Sequence, residues 1–161
     1  MMDLKGEGGI VFSKKTLHDV HLIKLAWIIP LFTIIAAVLI HVLAGNVRDV
    51  PFFISEADHP GLERVVFTSG LFVSACFQCL FSIRLFFLFK QKARPRILLF
   101  ATVLGVLSSF HLAILAFADM YDHISLHIYT SMVVFHGGFC WAFLTHFALQ
   151  NPHPKGRTKA A

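Results

Sequence analysis

Apolar residues are gathered along this chain into four long runs, at about 22–43, 65–89, 97–117 and 125–149. Each run matches or exceeds the roughly 20 residues that an α-helix needs to cross the hydrocarbon of a bilayer. No period-two alternation of the kind a transmembrane barrel requires interrupts them. The first run, LIKLAWIIPLFTIIAAVLIHVL, contains Pro30. Membrane helices accept such a residue where neighbouring groups satisfy the freed carbonyl. This run starts late, is as long as a span and lacks a small-residue cleavage site, so it reads as a retained helix rather than a signal peptide. The pattern predicts an all-α, polytopic four-helix bundle forming one membrane domain over 1–161. Tails are expected at 1–21 and 150–161, and a structured loop at 44–64.

Composition supports the pattern. The 161 residues are 57% hydrophobic and 14% charged, whereas soluble domains carry about 25% charge. Phe occurs 18 times, a load that lipid-facing helices tolerate. Cys76, Cys79 and Cys140 all fall inside apolar runs, and an odd count with none in a loop argues against a disulfide framework. Cys76 and Cys79 can share a helix face, where packing explains them better than redox chemistry.

The net charge of +5 adds direction. The cations lie beside the apolar runs and form no separate basic surface, which argues against a nucleic-acid partner. Lys5, Lys14 and Lys15 precede the first run and Lys24 sits at its start, Lys90, Lys92, Arg94 and Arg96 join the second to the third, and Lys155, Arg157 and Lys159 follow the fourth. The other two loops carry Arg48 and Arg64 among Asp49, Glu56, Asp58, Glu63, Asp119 and Asp122. Positive loops stay inside, so both termini are expected in the cytoplasm and the acidic loops in the lumen or exterior. Lys90, Lys92, Arg94 and Arg96 can also attract anionic lipid headgroups, at about 1 kcal/mol per cation. Arg84, near the inner end of the second run, is expected to snorkel to the interface. Trp27 and Trp141 suit an interfacial belt or packing.

The 44–64 loop, AGNVRDVPFFISEADHPGLER, is the longest. Gly45, Pro51, Pro60 and Gly61 break regular structure, yet Val50, Phe52, Phe53 and Ile54 suit a segment folded back on the helix ends. Ser55 and Asp58 have capping-box spacing. Glu63 should sit at a helix N-terminus, where negative charge is favoured. Ser55, Glu56, Asp58, His59 and Glu63 either form a polar site or decorate a lid with solvated charges.

Pro51-Phe52-Phe53-Ile54-Ser55, followed by Pro60, Glu63 and Phe67, resembles the first-loop signature of the FRAG/DRAM/SFK membrane family. That signature is Pro-Tyr-Ile-Ser, then Pro-Glu, then a Phe opening the second helix. Gly105, Ser108, Ser109, Phe117, His127, Phe135 and Gly138 continue the likeness over nearly the whole chain. The family contains autophagy modulators and proteins that remodel GPI-anchor lipids. The resemblance therefore implies a non-enzymatic role in membrane-lipid organisation, trafficking or GPI-lipid maturation, with Pro51, Phe53, Ser55, Pro60, Glu63 and His127 as a lumenal recognition surface. Two departures stand out. Ile128 occupies the place of an Asp that often follows the family's His. Relatives usually have six spans, so the remaining two are expected to be absent or supplied by a dimer or other partner. Gly137, Gly138, Ser69 and Gly70 offer close-approach surfaces for such pairing.

Ten histidines are many for this length. His41, His111, His136 and His146 lie in the runs, where interhelical hydrogen bonding is the expected role. Asp119, Asp122, His123 and His127 suggest an alternative function. His123 and His127 are one helical turn apart and could bind zinc with an aspartate, activating water for a lipid hydrolase or remodelling enzyme. No HExxH, nucleophile elbow, P-loop or dinucleotide fingerprint accompanies them. Membrane lipids are the expected partners, with no cofactor unless the aspartate–histidine cluster holds zinc.

Overall fold

A computed structural model describes residues 14–46 and 53–150, with side chains from 19 onward. The chain forms α1 (Lys14–Leu43), a short 3-10 turn (Ile54–Asp58), α2 (Leu62–Phe89), α3 (Pro95–Leu115) and α4 (Ile124–Gln150). All four helices are long and apolar enough to cross a membrane, over Asp19–Leu43, Leu62–Phe89, Pro95–Leu115 and Ile124–Gln150. The spans hold 21 to 28 residues, or about 31 to 42 Å of helix, against about 30 Å of hydrocarbon.

The helix ends follow local chemistry more closely than the apolar runs do. α1 begins at Lys14, ahead of its run, because the polar turn before Leu22 is still helical. Pro30 stays inside α1 without ending it. α3 begins with Pro95 at its first position, where a missing N–H costs no hydrogen bond. It ends at Leu115 instead of 117 because Phe117 and Ala118 both turn their N–H groups back to the Ile114 carbonyl.

Successive helices run antiparallel. Asp19 near the start of α1 meets Arg84 toward the end of α2, and Asn46 just beyond α1 meets Glu63 at the start of α2. Arg94 N–H donates to the Ala148 carbonyl, joining the start of α3 to the end of α4. α1 packs on α2, α2 on α3 and α3 on α4, while the 3-10 turn rests on α1 and α2. α1 and α4 form no extended interface among the described residues, so the bundle is open along that side.

Small residues make the helix contacts. Thr33 of α1 fills the hollow over Gly70 of α2, and Ser108 of α3 sits against Gly137 of α4. Ala37, Ala75, Ala101 and Ala148 are buried. Close approach at small residues is how helices associate in lipid, where burying large apolar side chains gains little. The large side chains accordingly face outward. Phe135 and Phe139 are each 73% exposed and Phe143 is 60% exposed, one turn apart along α4. In water each would forfeit about 1.5–3 kcal/mol of burial; hydrocarbon removes that cost.

Two contacts add to the expectations. Arg84 has a partner within reach: its Nε and Nη2 donate to the two Asp19 carboxylate oxygens at 2.6 and 2.9 Å. Gly70 and Gly137 serve contacts within the chain instead of facing a second copy. Ser69 is exposed and Gly138 faces open space. Of the linker cations, Lys90, Lys92 and Arg96 are exposed, while Arg94 is half-buried over the Phe147 ring at 5.1 Å. Arg48, Asp49, Val50, Pro51 and Phe52 lie outside the described residues, as do Lys5, Lys155, Arg157 and Lys159 and the side chains of Lys14 and Lys15.

Candidate functional site at the crown of the bundle

The end of the bundle holding the 3-10 turn and the α3–α4 connection concentrates the buried charge. The turn is held by Glu56, whose Oε1 accepts the Phe53 N–H at 2.9 Å. That is the reciprocal half of a capping box, two residues earlier than the expected Ser55–Asp58 pair. Ser55 makes no such cap, because Phe53 occupies the capping position. Ala57 is fully buried, and Glu56 and Asp58 are buried beside it. Gly61 then turns the chain into α2 with φ 154°, a conformation that favours glycine. A Cβ at Gly61 would stand 2.8 Å from Glu63 Oε2.

Glu63 lies at the start of α2 as its sequence position implies, but it is buried in a cage. Asn46 Nδ2 donates to Glu63 Oε1 at 2.7 Å. His41 Nδ1 and His59 Nδ1 approach the same oxygen at 3.7 and 3.6 Å. His59 also meets the Tyr121 ring edge-on at 5.4 Å between centroids. Two of the in-span histidines face another helix: His41 meets Glu63 of α2, and the His111 ring meets the Tyr129 ring of α4 at 5.8 Å. His111 and His136 bond the carbonyls one turn back in their own helices, and His146 pairs with Gln150.

Arg64 organises the neighbouring cluster. Its Nε donates to the Asp58 carbonyl at 3.2 Å and stands 3.7 Å from Asp58 Oδ1. Its Nη2 and Nη1 lie 3.5 Å from Asp119 Oδ1 and 3.7 Å from Asp122 Oδ2. Asp119 Oδ1 also accepts the N–H groups of Tyr121 and Asp122 at 2.8 and 2.6 Å, and the Tyr121 hydroxyl donates to the Glu56 carbonyl at 3.0 Å. The α3–α4 connection is thereby tied to the 3-10 turn.

Two of the three carboxyls paired with Arg64, those of Asp58 and Asp119, differ in charge preference. Asp58 is 1% exposed, and neither of its carboxylate oxygens has a hydrogen-bond partner among the described residues. Burial pushes its pKa up to about 7, against the pull of Arg64 and with a further push from Asp119. Burial also opposes ionisation of Asp119. The N–H groups of Asp122 and Tyr121, with Arg64, outweigh it and hold that carboxyl below its usual range.

Below this cluster an open groove of about 600 Å³ descends between α2 and α3. Asp58, Arg64 and Asp119 form its rim, Thr68 and Ser69 line its neck, and Phe72 and Phe117 form its apolar wall. The two rings meet edge-to-face at 5.7 Å.

The sequence-derived site residues divide by location. Phe53 and Pro60 are exposed, Ser55 is half-buried, and Glu63 and His127 are buried. Pro51 lies outside the described residues. His127 and His123 sit in different surroundings. His127 Nδ1 is bonded to the Ala118 carbonyl at 2.6 Å, whereas His123 is exposed and lines a separate groove with Phe117 and Leu126. Asp119 is committed to Arg64 and to backbone N–H groups, and Asp122 is exposed. Among the described residues, no group of three His, Cys, Asp or Glu is arranged to hold a metal ion. Sequence reasoning missed Arg64 as the hub and His41 and Asn46 as partners of Glu63. The available signal for Arg64 was its place among the acids of the 44–64 loop; nothing local in the sequence pairs His41 or Asn46 with Glu63. The chain matches no protein-family model, curated protein or solved structure.

Proposed function

We propose that this is a multi-pass membrane protein of the FRAG/DRAM/SFK type that recognises a lipid headgroup at its lumenal or exterior face. It acts without chemistry of its own, in membrane-lipid organisation, GPI-lipid maturation, trafficking or autophagy modulation. Both termini are cytoplasmic in this reading. Exposed Lys90, Lys92 and Arg96 then face anionic lipid on the inner side, and the acidic crown faces outward, in keeping with the positive-inside rule.

The observation that carries the reading is the groove under Arg64. It joins a charged rim to hydroxyl-bearing Thr68 and Ser69 and an apolar wall at Phe72 and Phe117, the polarity gradient of a lipid lying with its headgroup at the crown. Asp58, Asp119 and Asp122 outnumber Arg64 there. The rim therefore suits a headgroup bearing hydroxyl or ammonium donors, while Arg64 offers a contact for a phosphate. The metal-dependent hydrolase is the second reading: the Nδ1 contact with the Ala118 carbonyl would orient the His127 ring as in many metal sites, but no third His, Cys, Asp or Glu joins a ligand group among the described residues.

Lipid analysis of protein purified in mild detergent tests the proposal. A lipid with a hydroxyl- or amine-bearing headgroup should be enriched over the surrounding membrane. It should be depleted in Thr68→Leu, which narrows the neck while leaving the Arg64 pairs intact, and in Arg64→Gln. Co-purified lipid that mirrors the bulk membrane in all three proteins overturns it.

A further inference from the structure

Three carboxyls face one guanidinium at the crown, and they are not equivalent. Asp122 is open to solvent. Asp119 is buried but accepts the N–H groups of Tyr121 and Asp122. Asp58 is sealed and has no such help: neither oxygen has a hydrogen-bond partner among the described residues, and Arg64 Nε stands 3.7 Å from Oδ1, beyond hydrogen-bond reach. A carboxylate held this way is costly to keep ionised, and burial pushes its pKa up to about 7. Modest changes of pH therefore change its charge.

The guanidinium does not depend on that carboxyl for its place. The turn at Pro60 and Gly61 brings Arg64 back over the 3-10 turn, where its Nε donates to the Asp58 backbone carbonyl at 3.2 Å. A backbone acceptor is indifferent to the charge of its own side chain, so Arg64 stays at the groove rim in either protonation state. Its Nη2 is sealed; Nη1, beside the exposed Asp122 carboxylate at 3.7 Å, is the end open at the rim. What a proton changes is the field there. With Asp58 ionised, three formal negative charges face one positive; with Asp58 neutral, two do. The other titratable groups around Asp58 are Tyr121, which faces it from the α3–α4 connection, Glu56 and His59 in its own turn, and Glu63 of α2, which is turned toward Asn46, His41 and His59.

We propose that the crown groove takes an anionic phosphodiester headgroup only as Asp58 takes up a proton, so that lipid binding at Arg64 is coupled to acidification on the crown side of the membrane. This rests on the headgroup site proposed above and adds its regulation. A phosphate oxygen at Arg64 Nη1 brings a fourth negative charge to a rim already short of positive charge. Like charges raise the pKa of the group least able to stay ionised, and the sealed, unbonded Asp58 is that group. The proton passes from solvent to an Asp58 carboxylate oxygen. The phosphodiester is ionised throughout this pH range and neither gains nor loses one.

Isothermal titration of the detergent-purified protein with dihexanoyl phosphatidylglycerol, repeated in buffers of different ionisation enthalpy, reads both affinity and proton uptake. Affinity should fall roughly tenfold from pH 6 to pH 8, as the binding-competent fraction falls from about 0.9 to about 0.1. Uptake should approach one proton per lipid at pH 8 and vanish near pH 5. Asp58→Asn should bind equally well at both pH values and take up none. His59 and His123 titrate in the same range as free side chains do, so His59→Gln and His123→Gln should keep the uptake whatever their affinity; they carry the decision if Asp58→Asn misfolds. Uptake that persists in Asp58→Asn or disappears in a histidine variant overturns the coupling. Wild-type affinity that is equal at pH 6 and 8 does the same, and leaves the groove standing if Thr68→Leu abolishes binding. Absence of saturable, Thr68-dependent binding at every pH overturns the groove and the coupling together.

Discussion

Asp58 sets two physical effects against each other, and replacing it by Asn decides which prevails. Arg64 Nε at 3.7 Å favours the charged carboxylate, while near-complete burial without a hydrogen bond favours the neutral acid. Burial prevails in the balance, raising the pKa from 3.8 to about 7. The folded chain then keeps a proton that the unfolded chain releases, so stability falls as pH rises from about 4 and levels off above about 7. Three units at 1.36 kcal/mol each set a ceiling of about 4 kcal/mol. A surface turn that admits some water as the group ionises should show about 2 kcal/mol. Asp58→Asn keeps the shape and removes the titration, so it should match the wild type below pH 4 and exceed it by about 2 kcal/mol at pH 8. Denaturant titrations in detergent at pH 4, 6 and 8, followed by helicity, give the comparison. An Asn variant less stable than wild type at pH 8 would mean that Arg64 keeps Asp58 ionised, and the reasoning fails. A gap independent of pH refutes it equally.

Other consequences are simpler to check. Gly70→Val should lose about 1–3 kcal/mol in the same titration, because its side chain collides with Thr33 and cores resist overpacking. Tyr121→Phe removes the hydroxyl bond to the Glu56 carbonyl and should cost about 1 kcal/mol, with faster proteolysis of the 3-10 turn as its local sign. Asp19→Asn and Arg84→Gln should lower the thermal midpoint by similar amounts, and the double variant should lower it little further; additive losses would show that the bidentate pair is not coupled. Cys76 and Cys140 are exposed free thiols on apolar helix faces, so in membranes they should react with a lipid-soluble maleimide and resist a charged one.

The helices were legible because membrane helices are written as uninterrupted apolar runs, a signal that needs no knowledge of contacts. Their ends were less so. Lys14 through His21 is polar yet helical, and hydropathy alone cannot tell an emergent helix from a tail. At the crown, the sequence showed where charge collects but not how it pairs. Glu63 was recognisable as a helix-start acid, whereas its contact with Asn46 depends on the return of the chain through α1. His123 and His127 have the spacing of ligands on one helix face. The sequence does not show that the His127 ring bonds the Ala118 carbonyl, nine residues earlier, a contact set by the α3–α4 connection. The Arg84 pair was hidden for a similar reason: its Asp19 partner is sixty-five residues away.

The small-residue seams have a bearing on which substitutions this chain can absorb. In a water-soluble protein, bulky interior side chains are the sensitive positions and the surface is permissive. Here tolerance is turned inside out. Exchange of Phe135, Phe139 or Phe143 for another greasy residue leaves every helix contact in place, while one added methyl at Gly70 or Gly137 meets Thr33 or Ser108. A saturation library of this protein should therefore show its sharpest losses at its smallest side chains, with the heaviest ones nearly silent.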